Sequence, residues 1–132
     1  MDLQEKHRDK PFWYSFIYAI EGIVTVVKHE RNMRFHLLSS CIVLLMSFYF
    51  SIDKMEWLIV LILISGMFCL EMVNTAIERV VDLVTLEYKP LAKQAKDVAA
   101  GAVLVYAFVS IIIGALIFIP YVFKLLRTIE IS

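Results

Sequence analysis

Several things are scarce in this chain, and each scarcity removes a class of function. Only four glycines occur in 132 residues. None builds the G-x-x-x-x-G-K-[ST] loop that cradles nucleotide phosphates, and neither an HRD nor a DFG set is present. The three histidines, His7, His29 and His36, have no metal-ligand spacing. They read as surface or interfacial residues, and zinc chemistry is not expected. Cys41 and Cys69 are the two cysteines, both inside apolar runs. They read as small buried hydrophobes, not as a disulfide. Thirteen basic and thirteen acidic side chains cancel, so no global field points to nucleic acid. The amino terminus lacks a signal-peptide pattern, because the first long uncharged apolar run starts at Phe35. No internal repeat or low-complexity linker divides the chain, so residues 1–132 are expected to form a single domain.

Hydrophobic residues, by contrast, are abundant. They make up 61% of the sequence, and the mean hydropathy is +0.77. An ordinary soluble domain is less apolar than this. The expected class is an all-α integral membrane protein.

Met1 to Lys10 reads as a mobile charged leader, and Pro11 can start a helix. Between residues 12 and 29 the period is helical. Phe12, Phe16, Ile20, Ile23 and Val27 share one half of the wheel, while Tyr14, Tyr18, Glu21, Thr25 and Lys28 share the other. Such an amphipathic helix is expected to lie on the membrane surface. Glu30-Arg31-Asn32-Met33-Arg34 reads as a charged corner. Residues 35–52 form an apolar run long enough for a first span. Asp53 to Glu56 reads as a tight polar turn. A second helix is expected over residues 57–86, opened by Trp57 at an interface. At about 45 Å it is too long for the bilayer core and should project into water. Pro90 is the expected breaker. Leu91 to Asp97 is polar and basic, and a third span is expected over residues 98–123. Ala99, Ala100, Gly101 and Ala102 would permit close helix contact at its start. Pro120 is placed to bend its far end, and Lys124 to Ser132 reads as a short polar tail.

Orientation follows from lysine and arginine. Lys6, Arg8, Lys10, Lys28, Arg31 and Arg34 precede the first span; Arg79, Lys89, Lys93 and Lys96 lie between the second and third. The loop between the first two spans has only Lys54. The positive-inside rule puts the amino terminus and residues 79–97 in the cytoplasm. Lys124 and Arg127, at the opposite end, weigh mildly against this.

One stretch breaks the apolar pattern without breaking the helix. Glu71, Asn74, Glu78 and Asp82 lie at i, i+3, i+7 and i+11, within an arc of roughly 80°. The preceding apolar run, Trp57 to Leu70, rises only about 21 Å. Glu71 is therefore expected at the edge of the hydrocarbon core, where a carboxylate costs about 2–3 kcal/mol unless it is paired or wet. Glu30, Lys96 and Asp97 come to the same leaflet boundary. Carboxylates plus an amide suit Mg²⁺, which shares its shell with phosphates. A lysine offers a compact charge to phosphate oxygens, and a carboxylate at an apolar edge suits a general base near neutral pH. Phosphoryl transfer from ATP to a lipid hydroxyl would use every part. Two other readings remain at this point: a polar seam that holds helices together in a scaffold, and an ion or proton path of a transporter.

Residues 71–82, Glu71-Met72-Val73-Asn74-Thr75-Ala76-Ile77-Glu78-Arg79-Val80-Val81-Asp82, resemble the signature of the bacterial diacylglycerol kinase family. That signature reads E-x-[apolar]-N-[ST]-A-[apolar]-E-x-x-V-D. Ala95-Lys96-Asp97-Val98-Ala99-Ala100-Gly101-Ala102-Val103 resembles the family's second block. Glu30-Arg31-Asn32-Met33-Arg34-Phe35-His36 resembles the form in the Gram-positive branch, whose members are mainly undecaprenol kinases. The resemblance runs over roughly residues 12–122.

It implies a small kinase of the bacterial cell membrane, a homotrimer in which each subunit has a surface helix and three transmembrane helices. Active sites would be shared between subunits and open to the cytoplasm. The substrates would be ATP and a membrane lipid alcohol: undecaprenol by branch, with diacylglycerol as the alternative. Glu71 matches the catalytic base. Glu30 and Glu78 match the carboxylates that hold the Mg²⁺ of MgATP. Asn74 would orient the base or the phosphates. Lys96, Asp97, Glu87, Tyr88 and Lys89 match nucleotide contacts, and Tyr18 matches an aromatic one. Gram-negative members carry an ATP-contacting arginine near the start of the surface helix. This chain has Pro11 there, so that contact is not carried over.

Overall fold

A computed structural model describes residues 11–130 as four helices and no strand. They are α1 (Trp13–His29), α2 (Arg31–Phe50), α3 (Lys54–Val84) and α4 (Pro90–Glu130). The expected leader, Met1 to Lys10, lies outside the described residues. The last three helices are long and apolar enough to cross a membrane, which agrees with the all-α membrane class. α3 packs mainly on α4, then on α2, with α1 against the ends of α2 and α3.

The helix boundaries differ from the sequence reading in instructive ways. Glu30 alone, extended at φ −96° and ψ 120°, separates α1 from α2. The rest of the expected charged corner, Arg31 to Arg34, is the first turn of α2. Charge does not break a helix whose residues keep good intrinsic propensity. At the other end of α2, Ser51 adopts the left-handed conformation at φ 51° and ψ 50°. Asp53 then caps α3: its Oδ1 accepts from the backbone N–H groups of Met55 and Glu56, at 2.7 and 2.9 Å. Glu56 returns the bond by accepting from the Asp53 N–H at 2.9 Å. This capping box satisfies donors that the first turn would leave unpaired. It starts α3 at Lys54, so the expected turn over residues 53–56 reduces to its first residue.

α3 ends at Val84, and Thr85 turns extended at φ −159°. The third helix departs further from expectation. Pro90 opens α4 instead of merely stopping α3, because proline lacks only an N–H that the first turn cannot use. Residues 91–97 and the expected tail from Lys124 are both helical, and α4 runs unbroken past Pro120 to Glu130. Its rise of about 61 Å is twice the bilayer core.

The packed core lies at the Asp53 end. Ile52, Val60, Ile117 and Phe118 are buried there, flanked by Phe50, Trp57 and Tyr121. The phenol of Tyr121 donates to Glu56 Oε2 at 2.6 Å, tying α4 to the α2–α3 hairpin. Trp57 stacks edge-on against Phe48, with ring centroids 4.7 Å apart. α3 and α4 also cross closely at Gly66. A Cβ there would collide with the phenol of Tyr106, whose hydroxyl donates to the Ile62 carbonyl at 3.1 Å. The small residues at the start of α4 contribute less to packing than expected. Ala99 is buried, but Gly101 faces open space within the chain. Cys41 and Cys69 are free and exposed, which corrects their reading as buried residues; a hydrophobic side chain in a bilayer faces lipid as readily as protein. α1 buries only Val26, so its apolar face is left largely uncovered by the described residues.

Candidate functional site

The end of the bundle away from that core is polar, and α3 supplies most of it. Glu71, Asn74 and Thr75 are buried, with Glu71 only 2% exposed. Glu78, one turn further, is half-buried. Asn74 Nδ2 donates to Glu78 Oε1 at 3.2 Å, an i, i+4 pair along the stripe. Asn32, His36, Glu30 and Glu78 lie near enough to Glu71 to act on its carboxyl group. Asn32 and His36 are themselves one turn apart on α2, so one face of α2 meets the acidic stripe of α3.

Two acceptors on this face lack a hydrogen-bond partner among the described residues: Glu71 Oε2 and Asn74 Oδ1. A buried acceptor left unpaired costs about 1–3 kcal/mol. Both are hard oxygens, and they belong to residues three positions apart on one helix. That donor chemistry suits a divalent cation with phosphates, or the hydroxyl of a bound alcohol. Among the described residues, no group of three or more His, Cys, Asp or Glu side chains is arranged around a metal position. The residues fit a cation that takes part of its shell from a substrate.

The outer rim is a set of ion pairs. Glu30 Oε1 accepts from Arg79 Nη2 at 3.4 Å, which joins the α1–α2 break to α3. Lys96 Nζ reaches Asp82 Oδ1 at 2.6 Å and joins α4 to the end of α3. Lys93 pairs with Asp97 on α4. Lys89 pairs with Glu87 at 2.9 Å in the connection between α3 and α4, where the Glu87 N–H donates to Thr85 Oγ1 at 3.1 Å. Tyr88 is exposed beside them. Such exposed pairs add little stability; they keep both signs of charge at one end of the bundle.

Of the expected site residues, Glu71, Asn74, Glu78 and Glu30 come together. Lys96 joins the same end through Asp82, with Asp97 beside it on α4. Tyr18 sits about 18 Å along α1 from Glu30, with its ring 6.3 Å from that of Tyr14. Asn32, His36, Thr75 and Arg79 were not singled out from sequence. His36 read as interfacial for want of a metal-ligand spacing. Its i, i+4 relation to Asn32, beside a motif acidic residue, was the signal available.

Comparison with known proteins agrees with this picture. Residues 17–118 match the family model described as prokaryotic diacylglycerol kinase. The chain is 51% identical to an undecaprenol kinase of Bacillus subtilis (strain 168) over 109 residues, covering 83% of this chain and 89% of the relative. It is 34% identical to a diacylglycerol kinase of Synechocystis over 113 residues, covering 85% of this chain and 65% of that one. A diacylglycerol kinase of Haemophilus influenzae is 28% identical over 102 residues, covering 76% and 86%.

Proposed function

The chain belongs to the prokaryotic diacylglycerol kinase family and is a lipid kinase; from that premise we propose that it moves the γ-phosphate of ATP to the hydroxyl of undecaprenol. The carrying observation is the buried Glu71 carboxyl, one oxygen of which, like Asn74 Oδ1 beside it, has no hydrogen-bond partner among the described residues, below a rim of lysines. In this reading Glu71 accepts the hydroxyl proton of the lipid as it attacks. Asn74 holds the carboxyl and the phosphates in register. Glu30 and Glu78 would hold Mg²⁺, which when bound would supply positive charge to the phosphates. Lys96, Asp97, Glu87, Tyr88 and Lys89 bind the nucleotide from the α4 side. Burial of Glu71 excludes the water that would otherwise take the phosphate.

The membrane supplies the remaining geometry. From Lys54 to Glu71 α3 rises about 26 Å, close to the thickness of the hydrocarbon core. That brings Glu71 to the headgroup level, where a lipid hydroxyl waits. α1, with its apolar face uncovered, lies along the cytoplasmic surface. The working form is a homotrimer with shared sites, which supplies Tyr18 to a neighbour's nucleotide. The site faces the cytoplasm, where ATP is.

A second reading, diacylglycerol as acceptor, is favoured by the names of the Synechocystis and Haemophilus relatives. Transfer of labelled γ-phosphate by the purified protein in micelles separates the two. Undecaprenol and a short-chain diacylglycerol are offered side by side with MgATP. The expected outcome is preference for undecaprenol. Preference for diacylglycerol overturns the acceptor, and transfer to neither overturns the kinase reading of this site.

A further inference from the structure

α4 is longer than its place in the bundle requires. It runs from Pro90 to Glu130, yet the last of its residues packed on the buried core is Tyr121. The Tyr121 phenol bonds to Glu56 in the first turn of α3, so this level marks the membrane boundary at the Asp53 end. Trp57, stacked on Phe48, and the exposed Tyr49 lie in the same band, as aromatic side chains do at an interface. Past Tyr121 the helix continues for about 13.5 Å.

Lys124 and Arg127 stand on this extension, about 4.5 and 9 Å beyond Tyr121. A headgroup layer is about 5–8 Å thick, the excess of the ~40–45 Å bilayer over its ~30 Å core shared between two sides. Helical side chains lean toward the helix N-terminus, which for α4 is back toward the membrane. Both cations therefore reach the depth of the lipid phosphates.

Three positions apart, the two residues share one face of α4. With Pro120, Phe123 and Thr128 they line a cleft of about 510 Å³. At the other end of the bundle Arg79, Lys89, Lys93 and Lys96 each have a carboxylate partner. Lys124 and Arg127 are exposed and make no ion pair among the described residues. Glu130 is the one acidic residue on the extension, and at 100° per residue it falls on the far side of Arg127 from Lys124. Thr128 Oγ1 donates to the Lys124 carbonyl at 3.0 Å, so the cleft offers a ligand two cationic side chains and no further hydroxyl donor.

This chemistry selects an anion. A guanidinium presents a fork and an ammonium a compact charge, and the two suit the oxygens of one phosphodiester. Depth selects a lipid, because the exposed Phe123 flanks the cleft where an acyl chain would descend. We infer that Lys124 and Arg127 bind the phosphodiester of an anionic lipid headgroup, in the leaflet opposite the Glu71 carboxylate. A zwitterionic headgroup would bring its ammonium up to two cations and is disfavoured. The site lies a bilayer away from the carboxylates and stands independently of the kinase reading.

The test uses the full chain in phosphatidylcholine nanodiscs carrying a trace of photoreactive lipid, with a diazirine next to the headgroup. Photoreactive phosphatidylglycerol should label the peptide spanning residues 120–130, at least fivefold more than photoreactive phosphatidylcholine does. Lys124→Gln and Arg127→Gln should each cut that labelling about fivefold, the equivalent of about 1 kcal/mol per basic residue at a lipid surface. Lys124→Arg keeps the charge and should keep the labelling. Lys54→Gln, at the same end but outside the cleft, should leave it unchanged. Equal labelling by the two lipids would make this an ordinary lipid contact and overturn the site, as would labelling confined to other peptides. An equal loss in Lys54→Gln would reduce it to the general field of that end. Inorganic phosphate should displace no more label than chloride at the same ionic strength; greater displacement would assign the cations to free phosphate and overturn the lipid. If the glutamine variants change oligomeric size, the comparison of the two lipids on the parent and on Lys124→Arg still decides.

Discussion

Glu71 and Glu78 stand two turns apart on the same face of α3, yet their surroundings differ, and the proposed mechanism gives them different tasks. Glu71 is buried and keeps one oxygen without a hydrogen-bond partner among the described residues; Glu78 is half-exposed and engaged by Asn74. A general base contributes about 10²–10⁴-fold to a rate. Glu71→Gln keeps the shape and removes the basicity, so kcat should fall by about that factor while the variant elutes at the parent's oligomeric size. Retained turnover would remove Glu71 from the proton step. On the proposed reading, Glu78→Gln and Glu30→Gln act on the nucleotide side. Each should raise the Mg²⁺ and ATP concentrations needed for half-maximal rate more than it raises KM for the lipid. Titrating Mg²⁺ and ATP against both variants checks this, and an unmoved requirement denies them the metal. At this scale the sequence spoke through the stripe at i, i+3, i+7 and i+11, which α3 preserves. It was silent on Asn32 and His36. Their importance depends on which face α2 turns toward α3, and an apolar run such as residues 35–52 gives no period from which to read it.

Elements were legible where a physical signal ends them and obscure where it does not. Asp53 and Glu56 carry the spacing of a capping box, yet as a polar cluster they read as a turn; α3 starts there. Pro90 was ambiguous in principle, since proline ends one helix and begins another equally well. The polar stretches 91–97 and 124–130 looked like connector and tail because they are hydrophilic. Helices that leave the bilayer must become hydrophilic while staying helical, so polarity marks the membrane boundary and not the end of α4. The contact at Gly66 belongs to this scale as well. Tyr106 occupies the space a side chain would need and is held there by its bond to the Ile62 carbonyl. Gly66→Ala should therefore force α3 and α4 apart and cost about 1–3 kcal/mol. Thermal unfolding in detergent measures it. Pairing Gly66→Ala with Tyr106→Ala should recover part of the loss, because the intruding atoms are gone. Additive losses would mean that the crossing is set elsewhere.

For the whole molecule the decisive quantity is which end faces the cytoplasm. The acidic stripe, the Glu30–Arg79 pair and the Asp82–Lys96 pair share one end; the hairpin at Ser51 to Asp53, latched by Tyr121, forms the other. ATP can reach only a site whose rim opens to the cytoplasm, and on the proposed orientation Arg79, Lys89, Lys93 and Lys96 are the charges that would retain that rim there. Lys124 and Arg127, on the last turns of α4, oppose this assignment but are fewer. Their side chains are long enough to reach the opposite interface from a helix that overshoots the bilayer. With Cys41 and Cys69 replaced by alanine, a cysteine at Tyr88 and one at Ser51 should report opposite faces. A membrane-impermeant maleimide should label Tyr88→Cys in inside-out vesicles only, and Ser51→Cys in right-side-out cells only. The reverse pattern would put the carboxylates outside, away from any nucleotide. An active kinase could not then be built on this end of the bundle, whatever the chemistry of Glu71.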